Sequence, residues 1–164
     1  MIGPATEHDR SAIVEILNYT AANSTATFAT RPTSVAELRD WFERFSPSGP
    51  YRLLVARRDN LVLGYASSQR YRDHEAFRET VEVSIALEVG SRGRGVGSVL
   101  YRALFDRLAE APVHVALAGI ALPNDASVAL HRKFGFTEVD TFRCVRHQAR
   151  PGHQLAVDAA AVLS

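Results

Sequence analysis

The sequence predicts a single mixed α/β domain, and three observations lead there. The chain has 164 residues, the size of one ordinary domain with room for a sizeable core. Segments with the helical period of hydrophobicity alternate with segments of the strand period. No linker, internal repeat or low-complexity tract separates them, so residues 1–164 are expected to form one domain. Hydrophobic residues make up 46% and charged residues 23%, a globular composition that argues against wholesale disorder.

Each element has its own signal. Thr6 and Asp9 make a capping-box-like pair ahead of Ile13, Ile16 and Leu17, which predicts a helix over residues 7–20. Residues 21–32 are rich in Thr and Ser and read as a loop carrying Phe28. Ser34 and Glu37 form a second capping box, and Val35, Leu38, Trp41, Phe42 and Phe45 give the amphipathic helix behind it. The stretch 46–50, Ser-Pro-Ser-Gly-Pro, ends that helix. Residues 51–57 and 61–71 read as a hairpin turning at Arg58-Asp59-Asn60. A charged connection over 72–78 leads to residues 80–88, where Val81, Val83, Ile85 and Leu87 alternate with Thr80, Glu82, Ser84 and Ala86. Val99, Leu100, Leu104 and Leu108 mark a third helix, and the apolar run 113–120 suits a buried strand. Asn124 or Asp125 caps a short helix that Gly135 terminates. Residues 136–145 and 154–162 read as two last strands.

Composition narrows the function. There are 19 basic and 18 acidic residues, which argues against a broad basic nucleic-acid surface. All but one of the basic residues are arginines; Lys133 is the exception. An arginine fork suits phosphate and carboxylate, so the question becomes which arginines are placed to use it. The single cysteine, Cys144, excludes an internal disulfide and fits a reducing cytoplasm. It reads as a small core residue. No run reaches the roughly 18 apolar residues of a spanning helix, and no membrane partner is expected. His147 and His153 lack fitting co-ligands, so no metal site is proposed.

The most informative segment joins the strand at 80–88 to the third helix through Arg92-Gly93-Arg94-Gly95-Val96-Gly97-Ser98. Glycines permit a tight turn and close backbone approach. The helix N-terminus that follows presents free N–H groups and partial positive charge. Together they form a cradle for a pyrophosphate, with two arginines in it. A P-loop is disfavoured because no Gly-Lys-[Ser/Thr] closes the run. A dinucleotide fold is disfavoured because the loop follows at least three strands. A solvated glycine loop that binds nothing is the plainer alternative.

The Arg-x-x-Gly-x-Gly pattern resembles the acetyl-coenzyme A loop of the GCN5-related N-acetyltransferases (GNAT). Downstream, Leu122-Pro123-Asn124-Asp125-Ala126-Ser127-Val128-Ala129-Leu130-His131 followed by Gly135-Phe136 is similar to the second motif of the phosphinothricin and methionine sulfoximine acetyltransferase subgroup. Upstream, Asn23 to Phe28, Tyr71-Arg72 and the run Phe77-Arg78-Glu79-Thr80-Val81-Glu82 are similar to the same subgroup. The similarity covers about residues 2–143. It implies a largely antiparallel twisted sheet with a splayed parallel strand pair and about four flanking helices. It implies acetyl-coenzyme A (acetyl-CoA) as co-substrate without a metal, a small amino-acid-like amine as acceptor, and a homodimer.

Acetyl transfer to an amine requires removal of the amine proton, polarisation of the thioester carbonyl and protonation of the departing thiolate. The resemblance points to Glu82 and His131 for the proton transfers and leaves acid and base unassigned between them. It points to the backbone of Ile85, Ala86 and Leu87 for the pantetheine arm, to Arg92 through Ser98 for the pyrophosphate, and to Asn124 for a cofactor contact. Phe28, Arg72, Phe77, Arg78 and Glu79 are the acceptor-side candidates, with the arginines suited to a carboxylate. Each has a plainer reading: a solvent-facing strand glutamate, a surface helix histidine, a helix cap, solvated loop charges. Glu79 and Ala86 stand where relatives often carry aromatics, and Arg146 and Gly152 occupy the positions of a usual glycine and tryptophan. An acyl-CoA-binding sensor module and a protein or peptide N-acetyltransferase stay open as alternatives.

Overall fold

The computed structural model describes residues 1–23, 32–143 and 154–162. Phe28, Cys144, Arg146, His147, Gly152 and His153 lie outside them. The described elements are β1 (Ile2–Pro4), α1 (Arg10–Asn23), α2 (Val35–Phe42), β2 (Arg52–Arg58), β3 (Leu61–Arg70), β4 (Thr80–Leu87), α3 (Val96–Leu108), β5 (Val115–Leu122), α4 (Asp125–Lys133), β6 (Thr137–Arg143) and β7 (Gln154–Val162). The strands form one sheet in the order β1-β2-β3-β4-β5-β7-β6. Neighbours are antiparallel except β4 and β5, which run parallel. This is the mixed α/β architecture expected, with its parallel pair in the centre.

A core lies on each face of the sheet. Leu54, Ala66, Val81 and Val83 pack under α3 through Leu100, Tyr101, Leu104 and Leu108. Leu53, Val55 and Tyr65 pack under α1 and α2 through Ile13, Ile16 and Leu38. The one-residue alternation on β4 therefore sends Val81 and Val83 into the first core. Glu82, Ser84 and Ala86 turn to the α1 face. Neighbouring β3 does the same with Tyr65, Ser67 and Gln69, which stand opposite Ala86, Ser84 and Glu82.

Both capping boxes form. The Ser34 amide donates to Glu37 at 2.9 Å and the Glu37 amide donates to the Ser34 hydroxyl at 3.2 Å. The Thr6 amide donates to the Asp9 carboxylate at 2.6 Å. Asp9 is also the anchor of the N-terminal segment. Arg57 of β2 grips its two oxygens at 2.8 and 2.5 Å, and the same guanidinium donates to the Pro4 carbonyl.

Several strand ends shift by one residue, and four departures from the expectation are larger. The strand β1 was not expected, because three residues are too short to show a period; it forms by pairing Gly3 with Val55. Helix α1 runs on to Asn23, past Thr20, whose hydroxyl is satisfied within the helix by the Ile16 carbonyl at 2.8 Å. Helix α2 stops at Phe42, and Phe45 instead sets its ring against Trp41 at 4.6 Å. Strand β5 is displaced two residues along, since the Val113 amide turns back to the Ala111 carbonyl at 2.7 Å and pairing with β4 starts at Val115.

Burial by itself would raise the Asp9 pKa, but the bonds from Arg57 and Thr6 outweigh it and hold the carboxyl below its usual range. A depressed folded pKa contributes stability above the unfolded value and loses it as pH falls through the folded one. Asp9→Asn is expected to cost about 2 to 3 kcal/mol at pH 7 and to flatten the stability loss below about pH 4. Urea denaturation of both proteins between pH 2 and 7 measures this.

Candidate active site

The parallel pair creates the site. Strands β4 and β5 are in register at Thr80 with Val115, Val81 with Ala116 and Glu82 with Leu117, and then part. Each keeps its outer partner beyond that point: β4 stays with β3 to Leu87, and β5 stays with β7 to Leu122. The facing edges carry backbone N–H and C=O groups that must find partners elsewhere. The opening is a cleft of about 720 Å³, walled by β4 from Glu82 to Leu87, by Gly119 and Pro123 on the β5 side, and by α1, α3 and α4.

The glycine loop closes one end. Gly95 caps α3 with φ of +81°, a conformation that strains any side-chain-bearing residue. Gly97 is buried, and a Cβ there would lie 3.3 Å from Leu130 of α4, so its lack of a side chain lets the two helices close over the cleft. Glu88 shapes the approach by accepting from the Gly90 amide at 2.8 Å and the Ser91 hydroxyl at 3.1 Å. Arg92, Gly93, Gly95, Gly97 and Ser98 line the cleft together with Ile85, Ala86 and Leu87. Arg94 and Val96 do not; they border a second concavity on the other side of the loop, beside Arg57 and Arg58.

Helix α4 supplies the opposite wall. Asn124 both caps it, accepting from the Ser127 amide at 3.2 Å, and lines the cleft. Ala126, Ala129, Leu130 and Lys133 form the lining stripe. Lys133 donates to the Ser98 hydroxyl at 3.0 Å and so ties the end of α4 to the start of α3. Lys133 is not among the site residues expected from the sequence. Its signal was available in the i, i+3, i+4, i+7 spacing of that stripe.

Glu82 and His131 are not placed alike. Glu82 is half-buried and lines the cleft. Burial raises its pKa above the ordinary carboxylate value, opposed by a hydrogen bond from Gln69. His131 is 3% exposed and is not among the lining residues. Its Nδ1 meets the Ser127 carbonyl at 2.8 Å and its Nε2 meets the Tyr101 hydroxyl at 2.9 Å. A carbonyl only accepts, so Nδ1 carries a proton. Burial pushes the Tyr101 phenol up, which keeps it a neutral donor for Nε2. The imidazole is packed edge-to-face against Tyr101 and Phe136. The structure therefore brings Glu82 to the cleft and sets His131 one layer behind it.

Of the acceptor-side candidates, Arg72, Phe77, Arg78 and Glu79 lie on the loop joining β3 to β4, which leads straight into Glu82. Arg78 is held by two carboxylates, Glu75 at 2.7 Å and Glu79 at 3.2 Å. Arg70 pairs with Asp73 at 2.9 Å. Arg72 has no carboxylate partner among the described residues. Its guanidinium sits 5.1 Å from the Tyr71 ring centre and 5.8 Å from that of Phe77, whose rings meet edge-on at 5.4 Å. None of these loop residues lines the cleft itself.

With this geometry in view, comparison with known proteins is decisive. Residues 17–136 match the acetyltransferase (GNAT) family. The chain belongs to that family. A phosphinothricin N-acetyltransferase of Streptomyces coelicolor is 41% identical over 144 residues, covering 87% of this chain and 84% of the relative. An L-methionine sulfoximine/L-methionine sulfone acetyltransferase of Pseudomonas paraeruginosa is 37% identical over 128 residues, covering 78% and 74%. Among solved structures, a GNAT phosphinothricin acetyltransferase of Sinorhizobium meliloti in complex with acetyl-CoA superimposes with a TM-score of 0.92 at 28% identity, covering 100% of this chain and 88% of that one. The parting strands and glycine loop of this GNAT acetyltransferase thus occur in a fold shared with an acetyl-CoA complex.

Tyr101→Phe removes the donor that serves the buried Nε2 of His131. Unfolding experiments are expected to show a loss of about 1 to 3 kcal/mol, the cost of leaving a buried polar atom unserved.

Proposed function

We propose that this protein transfers the acetyl group of acetyl-CoA to the α-amine of a small amino-acid-like acceptor of the phosphinothricin, methionine sulfoximine or methionine sulfone type. The observation that carries the reading is a half-buried carboxylate, Glu82, at the point where β4 and β5 part, with the glycine cradle at the far end of the same cleft. Relatives named for those acceptors support the substrate class. The same relatives favour a small-amine enzyme over a sensor module or a protein-directed acetyltransferase. The subgroup resemblance extends to a homodimer, and the single cysteine fits a cytoplasmic setting.

The residues present fit the co-substrate. Free amides at the start of α3, together with Arg92 and Lys133, suit a pyrophosphate. The unpaired β4 edge from Val83 to Leu87 suits an amide-bearing arm, which would add to it as a strand does. Bound acetyl-CoA supplies the thioester. Glu82 takes a proton from the acceptor ammonium, directly or through a water, and its burial brings its basicity closer to the amine's. The amine attacks the carbonyl, the C–N bond forms and the C–S bond breaks, and the proton shed by the attacking nitrogen goes to the departing thiolate. A backbone N–H of the β4 edge polarises the carbonyl oxygen. His131 acts by position, holding the Ser127 turn of the α4 wall against Tyr101. Arg72 is the carboxylate clamp, because its neighbours Arg70 and Arg78 are already neutralised and two aromatic rings hold its fork in place.

Thiol release with acetyl-CoA and a panel of methionine sulfone, methionine sulfoximine, phosphinothricin and polyamines tests the reading. Glu82→Gln is expected to lower kcat at least 100-fold while calorimetric acetyl-CoA affinity holds. Gly95→Val is expected to weaken that affinity 10-fold or more. The raised Glu82 pKa favours folding below the unfolded value and loses that contribution as pH rises through the folded one. Glu82→Gln should accordingly keep or gain thermal stability at neutral pH. Full turnover in Glu82→Gln would exclude Glu82 as the proton acceptor.

Arg72→Ala should raise the acceptor KM about 10-fold or more and leave the acetyl-CoA KM in place. Arg78→Ala should do less. Steady-state kinetics with methionine sulfone and with methionine sulfone methyl ester checks this, because the ester lacks the carboxylate and should be indifferent to Arg72.

A further inference from the structure

Gln69 and Glu82 are directly opposed on β3 and β4. Opposed residues of an antiparallel pair project to the same face, so the amide and the carboxylate rise together beside the cleft. The register puts the Gln69 amide within reach of the carboxylate, where it opposes the effect of burial on Glu82. One rung along, the hydroxyls of Ser67 and Ser84 are hydrogen-bonded at 2.8 Å. The strand pair thus presents two consecutive polar cross-links on the sheet face that otherwise carries the α1 and α2 core. No charged side chain of the described residues is ion-paired with Glu82. Gln69 of β3 and Leu117 of β5 are its paired neighbours, Ser67 is one rung along, and Leu17 and Thr20 of α1 line the same cleft. The loop from β3 adds the cation of Arg72 and the mutually paired charges of Arg70, Asp73, Glu75, Arg78 and Glu79.

We propose that Gln69 is a positioning residue for acetyl transfer, whose side-chain amide fixes the Glu82 carboxylate and keeps it ionised between turnovers. The chemistry favours this residue type. A half-buried carboxylate drifts toward its neutral form, in which it cannot accept a proton. An arginine or lysine in the same place would hold the charge, but would lower the basicity by one to three pH units. A neutral amide lies between these limits. Its N–H stabilises the anion through one bond, occupies part of the carboxylate's accepting capacity and leaves the rest for the acceptor amine. Burial and Gln69 act in opposite directions on the same group, and their balance sets the pH at which the enzyme starts to work. This inference rests on the reading of Glu82 as proton acceptor.

The test uses the full chain and two variants, Gln69→Leu and the near-isosteric Gln69→Glu. Carbon NMR of glutamate-labelled protein follows the Glu82 carboxyl through a pH titration, its resonance identified by its absence in Glu82→Gln. In parallel, kcat is measured against pH with acetyl-CoA and L-methionine sulfone. Losing the amide donor should move the Glu82 titration up by about one pH unit in Gln69→Leu. Placing a like charge there should move it further in Gln69→Glu. The acid limb of kcat should move in step, while the acetyl-CoA KM stays put, a pattern that general loosening of the strands would not produce. An unchanged Glu82 titration in both variants overturns the proposal. Full activity in Glu82→Gln overturns the underlying reading instead, and the NMR titration separates that failure from the first, because it needs no catalysis.

Discussion

Strands β4 and β5 share three residue pairs and then separate. That separation is the constraint on which the site depends. A sheet normally satisfies its own backbone, and a central strand pair that opens leaves polar groups on both inner edges. The cost is tolerable because each strand keeps its outer partner, antiparallel β3 on one side and antiparallel β7 on the other. The opening provides a cleft between two otherwise rigid ladders, with hydrogen-bonding edges aligned before any ligand arrives. The glycine loop follows β4 after one short turn, so the N-terminus of α3 faces the end of the same opening.

The two residues proposed for proton transfer divide by layer. Glu82 faces the cleft because β4 alternates, and the side opposite Val81 and Val83 is the only one left to it. His131 belongs to an aromatic cluster with Tyr101, Phe105, Phe134 and Phe136, and both ring nitrogens are engaged inside the protein. Its hydrogen bonds hold α4 in place.

What the sequence disclosed follows how local each determinant is. Both capping boxes, the helix-entry glycines and the alternation that aims Glu82 depend on residues within a turn of one another, and all were legible. The face taken by His131 was not, because a nine-residue helix packed between a cleft and a core buries residues on two sides. Strand β1 was invisible because it exists only through its partner. The Arg78 pairings could be suspected from the i, i+3 spacing to Glu75 and adjacency to Glu79. The isolation of Arg72 could not, since it needs the other pairs assigned first. Gln69 escaped notice altogether, because its relation to Glu82 is a matter of strand register across a thirteen-position separation, and register depends on the whole sheet.

Lys133 carries a practical consequence. It is the chain's single lysine, and it sits on the cleft wall, bonded to Ser98. Amine-directed chemistry, whether surface immobilisation, dye coupling or lysine cross-linking, has only this side chain and the terminal amine to react with. A sensor chip prepared by routine amine coupling would therefore tether those molecules that react at Lys133 by the rim of their own cleft, and labelling at that side chain would compete with ligand binding. Arginine in place of Lys133 would preserve the cation while removing that handle, making attachment through the chain terminus the sound choice for this enzyme.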